Sequence, residues 1–87
     1  LAHEQLHFDI TELYARKLRQ HFAEMPDPCA MSETAIRADI QSLVGAWHAE
    51  QLRYDTETDH SLDRDGQAVW DARIRRSLIA LARYGQP

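Results

Sequence analysis

The sequence predicts an all-α chain built as a three-helix array. Glycine and proline number three each in 87 residues. Ala, Leu, Gln, Glu and Arg, which cost least in a helix, are abundant. Apolar residues recur at steps of three and four, and no stretch shows the strict alternation of a half-buried strand. Two breaks, Pro26-Asp27-Pro28 and a polar run from Asp55 to Gly66, divide the chain into three helical segments.

The first segment runs from about Ala2 to Phe22 and stops short of Pro26, because proline offers no amide and crowds the preceding turn. Ser32 is placed to cap the second segment, which carries Ile36, Ile40, Leu43, Val44, Trp47 and Tyr54 as one stripe and is expected to end where that stripe ends. Asp63 or Asp65 is placed to cap the third, which gathers Trp70, Ile74, Leu78, Leu81 and Tyr84 on one face. Val69 and Ile79 fall outside that face and point to a further contact surface.

Composition removes several function classes. With 44% hydrophobic and 28% charged residues the chain is neither disordered nor collagenous. No apolar run approaches the length of a membrane span. The single cysteine, Cys29, rules out an internal disulfide framework or a multi-cysteine metal site. A net charge of −4 argues against a nucleic-acid partner, as does the net −7 carried by residues 23–65. Residues 66–87 carry +3. One count is unusual: five histidines, roughly two to three times ordinary usage.

Two of those histidines stand in His3-Glu4-Gln5-Leu6-His7, an H-E-x-x-H pattern on the first helix. At about 100° per residue the two imidazoles lie about 40° apart on one face and about 6 Å apart along the axis, so one metal ion can meet both. Glu4, about 100° round from His3, can reach a water at such an ion without taking a ligand position. Leu6, Ile10, Leu13 and Tyr14 share the side of the helix on which the trio projects. Unpaired titratable groups are costly there, and a metal would satisfy them.

A catalytic zinc needs a third protein ligand. His21 lies about 21 Å beyond His7 along the same axis and is excluded. His48, at the edge of the second stripe, is better read as a partly exposed helix residue. His60, beyond a complete helix, is the preferred third ligand, with Asp59, Glu57 and Asp63 as fallbacks. The same run mimics a calcium loop starting at Asp55. However, His60 and Gly66 stand where such a loop needs its glycine and its bidentate glutamate, so that reading is rejected.

Residues His3 to Ile10, followed by Tyr14-Ala15-Arg16, resemble a bacterial family of unknown function taken to be secreted zinc-dependent proteases of the zincin type. Tyr54-Asp55-x-x-Thr58-x-His60, then Gln67 and Trp70, resembles the second block of the same family, with Ser61 where a glycine is expected. The resemblance implies one catalytic zinc on His3, His7 and His60. It implies Glu4 as the general base for attack of water on a peptide carbonyl, and a peptide or protein substrate. Tyr54, beside the His60 loop, is a candidate hydrogen-bond donor to the oxyanion, against a competing role as the last core residue of its stripe.

The resemblance also implies an extracytoplasmic location, periplasmic or secreted. Zincins place a β-sheet upstream of this helix. The 87 residues are therefore expected to be the helical part of a larger α+β domain, poorly active alone, with apolar faces open to homo-oligomer contacts. The competing function is a catalytically inactive zincin-like metal-binding scaffold or a helical protein-interaction module.

Overall fold

A computed structural model describes residues 2–85. It is all-α, with helices α1 (Ala2–Ala23), α2 (Glu33–Glu57) and α3 (Arg64–Ala80), and no strand among the described residues. Single 3-10 turns follow at Pro28–Ala30, Asp59–Ser61 and Ala82–Tyr84. The Ser32 hydroxyl accepts from the Ala35 amide to start α2, and Asp63 accepts from the Gly66 amide to start α3.

The second helix runs three residues past the end of its apolar stripe. Asp55, expected in a loop, is therefore helical. Thr58 ends α2, with its hydroxyl donating to the Tyr54 carbonyl at 2.7 Å. The chain then reverses through three consecutive left-handed residues, Asp59 (φ 48°), His60 (φ 53°) and Ser61 (φ 88°). That turn brings α3 back against the end of α2. A Cβ on Gly66 would stand 2.8 Å from the Glu57 carbonyl oxygen, so the first turn of α3 can lie this close only with glycine there.

The core is small and sits at one end, where all three helices meet. It comprises Leu6, Ile10 and Leu13 of α1, Tyr54 of α2, and Trp70 and Ile74 of α3. Two polar devices flank it. Glu50, almost fully buried, accepts from Arg73 at 2.9 Å and from the Tyr14 hydroxyl at 3.4 Å. Arg16 and Arg19 donate to the Leu78 and Tyr84 carbonyls, each at 2.6 Å, beyond the reach of helical amides. Glu12 holds both guanidiniums. The Arg16 hydrogen bond, which outweighs partial burial, keeps the Glu12 carboxyl below its ordinary pKa.

The forward part of α2 gives this core no fully buried apolar residue: Trp47 packs against its edge, half-buried. Ile40, Leu43, Val44 and Trp47 line an open apolar groove against Thr11, Tyr14, Ala15 and Leu18 of α1. Val69 and Ile79 are exposed, as their position off the stripe of α3 suggested. No helix among the described residues is long and apolar enough to cross a membrane.

Candidate metal centre

At the core end, the first turns of α1 and α3 and the last turns of α2 enclose a cavity of about 620 Å³. It is lined by Ala2, His3, Glu4, His7, Asp55, His60, Ser61 and Gln67. Helical spacing builds the polar cluster on its wall from two i,i+4 pairs. His3 and His7 project from α1, and Gln51 and Asp55 project from α2 to meet them.

The two imidazoles converge on one atom. His3 Nε2 lies 2.9 Å and His7 Nε2 2.8 Å from the same Asp55 oxygen, Oδ1. The rings stand edge to face, 5.0 Å apart. Each Nδ1 is occupied as well, His3 by Gln67 Oε1 at 3.0 Å and His7 by Gln51 Oε1 at 2.5 Å. Tyr54 lies beneath both rings, stacked on His3 at 4.4 Å and edge-on to His7 at 4.9 Å.

Electrostatics follow from this packing. Burial pulls the His3 pKa down, but hydrogen bonds to Gln67 and Asp55 and the negative charges of Asp55 and Glu4 outweigh it, leaving it above the ordinary histidine value. Burial pushes Asp55 up, but the two imidazoles outweigh it and hold the carboxyl below the ordinary range. Without a metal, His3 and Asp55 thus each favour the charged form of the other. Two imidazole nitrogens and one carboxylate oxygen are also donors that zinc accepts. The three ligand atoms lie within 4.8 Å of one another. Donors on a single ion stand roughly 3–4 Å apart, so the residues present fit the ion with little adjustment.

The expected site residues divide by position. His3, Glu4, His7 and His60 all line the cavity. Among the described residues, however, the third side chain gathered within ligating distance of His3 and His7 is Asp55. His60 sits exposed on the left-handed turn, outside that group.

The fallback ligands lie elsewhere. Glu57 accepts from the Trp70 indole at 3.1 Å, Asp63 caps α3, and Asp59 does not line the cavity. Tyr54 is fully buried, and its hydroxyl stands 2.9 Å from both the His3 carbonyl and Gln67 Oε1. Its one proton already has two acceptors, so the oxyanion role finds no support in this geometry and the core role does. His21 pairs with Asp39 at 2.9 Å, far along α1, and His48 is exposed against Trp47.

Sequence reasoning misses Asp55 as a ligand because the stripe of α2 ends at Tyr54 and the helix continues past it without apolar residues. It misses Gln51, inside the helix, because a polar residue outside the stripe carries no local signal of what packs against it. The Gln51-x-x-x-Asp55 spacing, a copy of the His3–His7 spacing on the facing helix, was the available signal.

The model of a family described as bacterial proteins of unknown function, DUF922, matches residues 1–61. The chain belongs to that family. The matched part of this DUF922 chain holds both histidines, Glu4, Gln51, Asp55, His60 and Ser61, and ends at the left-handed turn. Gln67 and Trp70, on which part of the sequence resemblance rested, lie beyond the match. No curated protein and no solved structure matches the chain.

Proposed function

We propose that this DUF922 chain carries a zinc site of the hydrolytic type and acts on peptide bonds. The observation that supports the reading best is the convergence of both H-E-x-x-H imidazoles, through Nε2, on Asp55 Oδ1, with Glu4 on the wall of the same cavity. In this reading His3, His7 and Asp55 hold the ion. When bound, zinc supplies Lewis-acid polarisation of a carbonyl and lowers the pKa of water towards about 7.

The chain's own groups do the rest. Glu4 takes the proton from the attacking water and delivers it to the leaving amine. Tyr54 keeps both rings in place from below. His60, exposed at the rim, stands where it can meet a substrate entering the cavity.

The test begins with zinc content. One ion per chain is expected, lost in the His3→Ala/His7→Ala double variant and retained in Glu4→Gln. Glu4→Gln should abolish hydrolysis of an unbiased peptide library. Asp55→Ala weakening zinc far more than His60→Ala identifies the third ligand, and the reverse order returns that role to His60. An active Glu4→Gln protein sinks the mechanism. Zinc uptake without hydrolysis gives the alternative, an inactive metal-binding scaffold.

A further inference from the structure

The metal reading accounts for the Nε2 atoms of His3 and His7 but leaves their Nδ1 atoms unexplained. A neutral imidazole carries one proton, shared between two nitrogens, and only the unprotonated nitrogen can ligate. Left alone, the Asp55 oxygen at 2.8–2.9 Å would draw that proton onto Nε2 and close the very atom a metal needs. Something must favour Nδ1–H.

The two glutamines have that chemistry, and their orientations are fixed by their other contacts. The outer end of the Gln67 amide faces Asp71 Oδ1 at 3.1 Å. A carboxylate can only accept, so that end is the NH2 and the oxygen faces His3 Nδ1 at 3.0 Å. The outer end of the Gln51 amide faces the His7 carbonyl at 3.1 Å and the Thr11 hydroxyl at 3.2 Å. A carbonyl also only accepts, so Gln51 again turns its oxygen to the imidazole, at His7 Nδ1.

We propose that Gln51 and Gln67 are positioning residues of the metal centre: each accepts the Nδ1–H of one histidine and so keeps that ring's Nε2 lone pair aimed into the site. The inference rests on the zinc reading above and deepens it. The two clamps come from different helices, α2 for His7 and α3 for His3, so both rings are fixed only once all three helices have packed. Asp71 belongs to the same device, because it sets which way the Gln67 amide points. Hydrogen-bond partners of this kind hold the tautomer and plane of a ligating imidazole, and losing one weakens metal affinity by about 10–100-fold.

The experiment measures the zinc dissociation constant by competition with a chromophoric chelator, and reads the imidazole tautomers of the zinc-loaded protein by nitrogen NMR. Gln51→Met and Gln67→Met remove the acceptor while keeping length, and each should weaken zinc by about 10–100-fold. Gln67→Glu combined with Asp71→Asn exchanges the two groups across their hydrogen bond and restores an acceptor to His3. It should recover affinity to within a few-fold of wild type, which a purely structural role for Gln67 does not predict. Wild-type spectra should show Nδ1–H and Nε2 ligation at both rings.

Methionine variants that bind zinc as tightly as wild type, while His3→Ala does not, overturn the clamp and leave the metal site standing. Wild-type protein that takes up no zinc, or whose uptake survives His3→Ala, overturns the metal reading and the clamp with it.

Discussion

His3 is held on four sides: Gln67 at Nδ1, Asp55 at Nε2, the Tyr54 ring beneath it, and the Tyr54 hydroxyl on its own carbonyl. These contacts set how the metal-free protein responds to pH. The His3 pKa is raised, so its contribution is complete below the ordinary histidine value and is lost as pH rises through the raised value. The Asp55 pKa is lowered, so its contribution is complete above the ordinary carboxylate value and is lost as pH falls through the lowered value.

In chelator, the urea midpoint should therefore peak between the ordinary carboxylate and histidine ranges and fall on either side. Saturating zinc should reverse the alkaline limb, because zinc needs the imidazoles deprotonated. A flat alkaline limb in chelator would show that the His3–Asp55 pair does not stabilise the fold.

The elements show what a pattern of residues can and cannot disclose. All three helices were legible from spacing, and so were the Ser32 cap and, as one of two candidates with Asp65, the Asp63 cap, because capping and amphipathic periodicity are local. The end of α2 was not. Apolar periodicity reports burial, and Asp55, Thr56 and Glu57 continue the helix without it. The stripe on α2 also proved only half a core: Tyr54 is buried and Trp47 packs at its edge, while Leu43 and Val44 flank an open groove. Periodicity shows that a face is apolar but not whether another element covers it. At the site, both α1 histidines could be read from a motif within one helix. The facing pair, Gln51 and Asp55, depends on how two helices pack, which no local pattern records.

The turn from α2 to α3 gives the prediction at this scale. Ser61 adopts φ 88°, where an L-residue is strained and glycine is not. Its side chain is exposed. Ser61→Gly should therefore stabilise the protein by about 1 kcal/mol, read as a higher denaturant midpoint with an unchanged slope. A loss of stability would mean that the Ser61 side chain contributes more than its backbone costs.

Taken whole, the molecule is long and thinly cored. Its extents are 48 × 26 × 16 Å and its radius of gyration is 14.9 Å, against ~12 Å for a compact chain of this length. Among the described residues six apolar side chains form the buried cluster, which leaves little stability in hand. A ligand that binds only the folded form then has a large relative effect. Zinc at 100 times its dissociation constant adds about 2.7 kcal/mol, which for a domain of this size raises Tm by about 10–20 °C. Differential scanning fluorimetry with zinc, then with excess chelator, should show the rise and its reversal. The His3→Ala/His7→Ala variant should show neither.

Tyr54 belongs to two neighbourhoods at once: its ring tilts against Trp70 in the cluster at 5.3 Å and lies under both imidazoles at the cavity floor. Mutational drift in the interior therefore has no insulation from the chemistry. A change at Trp70 or Ile74 that lets the phenol ring settle differently also moves the surface on which His3 rests. Such interior positions should tolerate fewer substitutions than their burial alone would dictate, and compensating changes should cross between the two neighbourhoods through this one side chain.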